Sequence, residues 1–190
     1  KNIFSDVLAT YDLPYLANHL VLERDDLFAY LGLKTLHVGY LQKFDGTRFE
    51  LPQSFSFSCL IPVRITDINY GGHAGNDTVL SIIHEARMQF LESIGYTEME
   101  FAGAGMIMFD VAIEFKNELF YGDVIIASVV AGDFSRIGFD LLYKLETLRP
   151  VNGDRKVLIA TAKTGMICYN YEKKKIISVP AEARVKITGA

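Results

Sequence analysis

The sequence predicts an α+β fold in which a curved antiparallel sheet wraps one long central helix, and three observations predict it. Apolar residues alternate with others from Phe55 to Ile65, recur at helical spacing from Asn76 to Tyr96, and then fill four further runs divided only by short, turn-rich links. A period of two lines one face of a strand and a period of about 3.6 lines one stripe of a helix, while short links join antiparallel neighbours because parallel strands need long crossovers.

In the first strand Phe55, Phe57, Cys59, Ile61, Val63 and Ile65 alternate with Ser56, Ser58, Leu60, Pro62 and Arg64. Pro62 has no amide proton for a ladder, so this strand is expected at a sheet edge or a bulge. In the helix Val79, Ile82, Ile83, Ala86, Phe90 and Ile94 share an apolar stripe, whereas Thr78, Ser81, Glu85, Gln89 and Glu92 fall opposite. Asn76 or Asp77 is expected to cap it and Gly95 to end it. The remaining strands are expected at Met106–Phe115, Val124–Val130, Ile137–Leu148 and Val157–Tyr169, with turns at Tyr121-Gly122-Asp123, Gly132-Asp133 and Asn152-Gly153-Asp154 and no second clear helix. These elements fill a domain over residues 53–190.

Residues 1–52 read as an N-terminal helical extension. Ile3–Ala9 and Pro14–Leu31 are helix-like, and Leu36–Leu51 alternates around Asp45-Gly46, a dipeptide suited to a hairpin turn. No internal repeat or low-complexity segment interrupts the chain.

The 190 residues are 50% hydrophobic and 22% charged, enough apolar surface for one buried core and too little polarity for disorder. A net charge of −4 with no basic block argues against nucleic acid as a partner. The only cysteines, Cys59 and Cys168, sit far apart in apolar runs and suit a reducing compartment. Apolar runs are far shorter than the roughly 20 residues that cross a bilayer. Lys1–Leu8 lacks the apolar core and cleavage site of a secretion signal, so a cytoplasmic protein without membrane insertion is expected.

The stretch Arg64–Arg87, RITDINYGGHAGNDTVLSIIHEAR, joins the first strand to the helix. Asp67, Asn69 and His73 lie on a connection rich in glycine (Gly71, Gly72, Gly75) that delivers the chain to the helix N-terminus. Glycines allow a ligand close to the backbone, and the unpaired amides of a helix start favour negative charge on a bound oxygen. Polarising a thioester carbonyl has that electrostatic requirement.

This stretch resembles, without a gap, the pattern D-x-D-x-x-G-H-x-x-N followed by a helix ending E-A-R in the 4-hydroxybenzoyl-CoA thioesterase-like hotdog family. Asp67, Gly72, His73, Asn76, Glu85, Ala86 and Arg87 match it, and the later strands follow the family's order over roughly residues 55–180. The resemblance implies a hotdog fold and a homodimer or dimer of dimers, with sites where protomers meet and the acyl group beside the central helix. The implied substrate is an acyl-CoA or acyl-carrier thioester. No metal or separate cofactor is expected, since CoA is part of the substrate. One position departs from the pattern: the second acid, which many members use for catalysis, is Asn69 here, and an amide cannot be a general base.

The resemblance then makes Glu85 the expected base, since some branches of that family place their nucleophile or base on the helix; Asn69 would assist it, with Asp67 and His73 as further catalytic candidates. Gly72, Gly75, Asn76, Asp77, Thr78 and Arg87 are candidates for holding substrate. Each has a structural alternative. Asp67, Asn69 and Asn76 are residue types that tie turns and caps, His73 can be a hydrogen-bonding loop residue, and Glu85 can sit on a solvated face. Arg87 falls beside the apolar stripe, where it is expected to pair with a carboxylate or reach a CoA phosphate. Arg136, Lys144 and Lys163 are further candidates for the phosphates. His84 is expected to be neither metal ligand nor base.

Three functions remain open on these residues: thioester hydrolysis, acyl-thioester binding without turnover, and a hydratase or dehydratase using His73 with Asp67 or Glu85. His19, His37, His73 and His84 lack zinc-site spacing, and neither a Walker motif nor a G-x-S-x-G elbow is present.

Overall fold

The computed structural model describes residues 49–149 and 155–188, all within the unit that spans 42–190. Most of the expected N-terminal extension, with its helix-like stretches and its Asp45-Gly46 turn, lies outside the described residues, as does Asn152-Gly153-Asp154.

The chain forms β1 (Phe57–Pro62), a 3-10 turn (Ile65–Asp67), α1 (Asn76–Ser93), β2 (Gly105–Phe115), β3 (Val124–Gly132), β4 (Gly138–Arg149), β5 (Arg155–Asn170), β6 (Lys175–Ile176) and α2 (Ala181–Thr188). All strand pairs are antiparallel, in the order β1-β3-β4-β5-β2, and β6 pairs with the end of β5. Pro62, opposite Val124 at the end of β1, sits on an edge strand as its missing donor requires.

One expectation fails in the strand order. A simple meander would place β2 beside β3, yet β2 pairs with β5 at the far edge. Residues 116–123 carry the chain across the ends of the intervening strands. The Lys116 and Asn117 amides donate to Ile159 O at 2.8 and 3.2 Å, and Asn117 Nδ2 donates to Leu158 O at 2.7 Å. Arg149 on β4 then holds Glu118 O and, at 2.9 Å, Asp123 Oδ2. The link succeeds because its polar groups are satisfied by strand ends.

The sheet curls around α1. Val79, Ile82, Ile83, Ala86, Phe90 and Leu91 share one core cluster with Ile125, Ala127, Val129, Tyr143, Leu145, Ala160 and Ala162. The inner sheet face alternates large and small residues across its registers: Val129 opposes Tyr143, which opposes Ala162, and Ala127 opposes Leu145, which opposes Ala160. The apolar alternation of β1 continues through Val63 but stops before Ile65, which is 67% exposed where the 3-10 turn begins.

A second helix among the described residues, α2, which the sequence reading missed, follows the sheet. Its eight residues bury only Ala183 and Ile187, too short and too weakly amphipathic for periodicity to reveal. Gly95 follows α1 with φ +75°, and the Tyr96 amide bonds to Leu91 O at 2.9 Å, a glycine-dependent helix ending.

Candidate active site

The connection from β1 to α1 is built from short local bonds. Asp67, buried, accepts the Arg64 backbone amide at 2.8 Å and the Arg64 guanidinium at 3.0 and 3.3 Å. Those hydrogen bonds from Arg64 hold the Asp67 carboxyl below the usual carboxylate range, against the opposing effect of burial. Asn69 Oδ1 accepts from the Gly71 amide at 2.7 Å, and the Asn69 and Gly72 amides bond to His73 O and Asn69 O, so Asn69 organises the turn. Gly72 turns the chain at φ +80°. His73 lies 3.1 Å from Ala74 O through Nδ1; a carbonyl only accepts, so Nδ1 carries the proton in this contact.

Gly75, not Asn76 or Asp77, occupies the N-cap position. Its extended backbone (φ −69°, ψ 159°) lets its amide bond to Asp67 O at 3.4 Å and its carbonyl receive the Val79 amide at 3.2 Å. No side chain caps the helix, so the amides of Asn76, Asp77 and Thr78 open the first turn uncapped. Asp77 in that turn favours the helix dipole. Thr78 Oγ1 instead donates to Asp67 O at 3.2 Å, tying the helix start to the turn.

Two grooves flank this first turn. The first, about 340 Å³, runs between β1 and α1 and is lined by Leu60, Pro62 and Ile82 together with Asp67, Thr78 and Glu85. Ser81 and Gln89 line it as well, so four of the five residues assigned to the polar side of the helix face a concavity. Glu85 accepts from Gln89 Nε2 at 2.7 Å. The second groove, about 250 Å³, lies at the helix start against residues 115–119 and contains His73, Asn76 and Asn117.

The structure therefore brings Asp67, Thr78 and Glu85 into one groove and puts His73 and Asn76 in the other. Arg87 is 4% exposed and donates to Glu98 Oε1 from Nε at 2.5 Å, the carboxylate pairing rather than the phosphate contact. Lys163 is likewise buried, against Asp110 at 2.8 Å and Asp140 at 3.6 Å. Lys144 pairs with Glu146 at 3.2 Å, while Arg136 is exposed. His84 Nε2 lies 3.2 Å from Glu98 Oε2. Among the described residues no group of three or more His, Cys, Asp or Glu could hold a metal, and no helix is long and apolar enough to cross a membrane.

Sequence reasoning missed the partners. Arg64 precedes Asp67 by three residues and Gln89 follows Glu85 by four, spacings that could have suggested both contacts. Asn117 carried no signal, because only the crossing of the 116–123 link brings it to the helix start.

One long helix held in a curled antiparallel sheet of order β1-β3-β4-β5-β2 defines a hotdog fold. A profile of the thioesterase-like superfamily matches residues 63–187, and the chain belongs to that superfamily. No curated protein matches it at a significant level. Among solved structures it is similar to 4-hydroxybenzoyl-CoA thioesterase from Pseudomonas sp. strain CBS-3, at 16% identity and TM-score 0.62 over 70% of this chain and 99% of that one. A 1,4-dihydroxy-2-naphthoyl-CoA thioesterase from Synechocystis is 19% identical, with TM-score 0.60 over 69% and 94% of the two chains. A hypothetical protein from Aquifex aeolicus is 23% identical, with TM-score 0.60 over 69% and 98%. At these identities the likeness is one of fold.

Proposed function

We propose that this chain hydrolyses an acyl thioester, of CoA or of an acyl carrier, by receiving the carbonyl oxygen at the first turn of α1 and activating water with Glu85. The observation that carries the reading is that an uncapped helix start and, further along the same helix, the Glu85 carboxylate both open onto a concave surface, where each can face a carbonyl bound beside it. Amide dipoles aimed at an oxygen stabilise the charge that develops on it, and a carboxylate held near the carbonyl carbon can take a proton from water.

Spacing along the helix adds a condition. Glu85 lies seven residues beyond Thr78, about 10 Å along the axis at about 1.5 Å per residue. It is too far from a carbonyl held at its own helix start. A homodimer removes the difficulty if the helix start of one copy and Glu85 of the other face the same carbonyl. Supporting this, β2 is an edge strand that pairs only with β5 among the described residues, and such an edge is a template for a second chain. A reducing compartment such as the cytoplasm suits the two free thiols.

Binding without turnover is the second reading, and the Asn69 side chain favours it, because its oxygen is already engaged by the Gly71 amide. A hydratase fits less well: His73 lines a different groove from Asp67 and Glu85, so it is not brought together with either acid. Thiol release from a panel of acyl-CoAs, with Glu85→Gln and Asn69→Ala beside the wild type and sedimentation for the assembly, tests these readings. Hydrolysis lost in Glu85→Gln supports the mechanism. Rates unchanged from the wild type in both variants remove these residue assignments, and binding without thiol release favours the second reading.

A further inference from the structure

The cations of this protein are segregated. From Arg64 to Lys163, every lysine and arginine whose side chain is described meets a carboxylate, Arg136 excepted. Arg136, Lys173, Lys174, Lys175, Arg184 and Lys186 are exposed and meet none among the described residues. These six share one end of the fold. Gly138 stands opposite Ile167 and Lys175 opposite Asn170, so the β3–β4 and β5–β6 turns lie at the same end of the sheet. The chain stays there after β6: the Val179 amide donates to Arg136 O at 2.9 Å. Helix α2 then sets Arg184 5.1 Å from the Phe134 ring centroid and Lys186 4.5 Å from that of Tyr96, just past the end of α1.

The positions of these cations are held. Stacking on Phe134 and Tyr96 fixes Arg184 and Lys186. In the lysine turn the Lys173 amide donates to Asn170 Oδ1 at 2.7 Å, and Lys174 stands at φ +50°, in the left-handed region that favours glycine. Three adjacent lysines repel one another, and one of them takes a backbone conformation that a neutral glycine would fill more easily. The neighbouring acids do not offset them. Glu182 accepts the Tyr96 hydroxyl at 3.3 Å and Glu100 the Gly103 amide at 2.7 Å, while Asp133 and Glu172 add one charge each to turns that carry Arg136 and the three lysines. On a chain of net charge −4, such a local excess suits an anionic partner of limited extent. A bilayer or a nucleic acid is anionic beyond the patch and would meet the acidic remainder. Tyr171 and Val185 are the large apolar side chains that the two turns and α2 expose, too small an area to enter a bilayer but suited to a protein contact rimmed by charge.

We propose that this basic end docks an acidic protein, the carrier that bears the acyl thioester, whose carboxylates pair with Arg136, Arg184 and the lysines of the β5–β6 turn. The inference rests on the thioesterase reading and names the source of its substrate: a carrier protein rather than CoA. The homodimer which that reading requires puts the patch in a useful place. Strand β2 runs from Gly105, opposite Tyr169 at the basic end, to Phe115, which lines the groove at the start of α1. Two β2 edges paired antiparallel bring the Phe115 end of one copy beside the Gly105 end of the other. A carrier docked on the basic end of one protomer then stands next to the helix start of its partner.

The test compares two thioesters of one acid, that of CoA and that of a purified acidic acyl carrier protein. The turn lysines are exposed, so the triple variant Lys173→Glu, Lys174→Glu, Lys175→Glu should fold as the wild type does, which circular dichroism checks. It should lower kcat/KM on the carrier ester roughly tenfold or more, through KM, and leave the CoA ester unchanged. Added salt should lower the wild-type rate on the carrier ester and affect the variant little. Replacing the three lysines by arginine should restore the rate. No loss on either ester, or an equal loss on both, overturns the proposal. A loss confined to the CoA ester makes the patch a seat for CoA phosphates and overturns it too.

Fluorescence anisotropy of the labelled carrier protein, with no acyl group attached, follows docking without turnover. Binding that weakens in the triple lysine variant and in Arg136→Glu, with no thiol release from any ester, would keep the docking surface while the hydrolysis reading fails. No binding at low ionic strength would overturn the docking surface even in an active enzyme. Vesicles of phosphatidylcholine and phosphatidylglycerol serve as the contrast: sedimentation of the wild type with them, and no binding of the carrier, would assign the patch to a lipid surface and overturn the proposal.

Discussion

Glu98 is shared between two residues of α1: one oxygen accepts from the buried Arg87 Nε at 2.5 Å, and the other lies 3.2 Å from His84 Nε2. Arg87 would otherwise be an uncompensated charge among core residues, and Tyr143, whose hydroxyl bonds to Thr164 at 3.0 Å, lies close to it. Removing one partner of a buried pair costs about 3–5 kcal/mol, and partial exposure of Glu98 puts the expectation for Glu98→Gln near the lower figure. Arg87→Met, which removes the charge along with its need for a partner, should cost less. Urea unfolding of the two variants checks the order.

Asp67 should make the protein acid-sensitive. Its carboxyl is held below the ordinary value by the hydrogen bonds from Arg64, so its contribution to stability is complete above the unfolded value, about 4, and is lost as pH falls through the lower folded value. Because the Arg64 side chain is 72% exposed, solvent screens the ion pair, and the backbone bond should provide most of the effect. Asp67→Asn should flatten the pH dependence of Tm between pH 5 and about 2. A profile identical to that of the wild type would remove this role.

Cys59 reports on Glu85. Burial first, and the Glu85 charge second, push the Cys59 thiol up to about 11. Glu85→Gln removes the second cause, so the thiolate fraction and the rate of Cys59 alkylation at pH 8.5–9.5 should rise. Cys168, pushed up to about 11 by burial alone, is the internal control and should not change. Mass spectrometry of the labelled peptides checks both sites.

Gly138 begins β4 opposite Ile167, where a Cβ would stand 2.1 Å from Met166 O. Backbone cannot move aside as a flexible side chain can, so Gly138→Ala should cost about 2 kcal/mol or more. At Gly132 a Cβ meets nothing within 4 Å, and Gly132→Ala should leave Tm almost unchanged. Thermal melts of the pair check the prediction.

Under the hydrolytic reading, Glu85→Gln should lower kcat by about 10²–10⁴, the usual worth of a general base. Its fold should persist, since Glu85 is exposed and its bond to Gln89 lies on the surface. Steady-state rates beside circular dichroism separate lost chemistry from lost structure.

The fold was legible where residue pattern and tertiary role coincide. The stripe Val79, Ile82, Ile83, Ala86 and Phe90 is buried as its spacing requires, and strands β2 to β5 begin and end within two residues of the apolar runs that announced them. The helix cap was misplaced because asparagine and aspartate are common cap residues, whereas Gly75 is selected here by the hydrogen bond of its amide to Asp67 O. The polar helix face was legible as polar only. Its concave surroundings come from Leu60 and Pro62, residues on another element.

By itself the sequence determined the periodicities, and through them one long helix, a set of antiparallel strands and a glycine-rich approach to the helix start. Those follow from interactions between near neighbours, which a chain carries in its local order. Only the tertiary structure decided that β2 crosses to the far edge, that Arg87 faces Glu98, and that His73 and Glu85 lie in separate grooves. These depend on which distant backbone and side-chain groups satisfy one another, and many pairings are compatible with the same local pattern until the core closes around one of them.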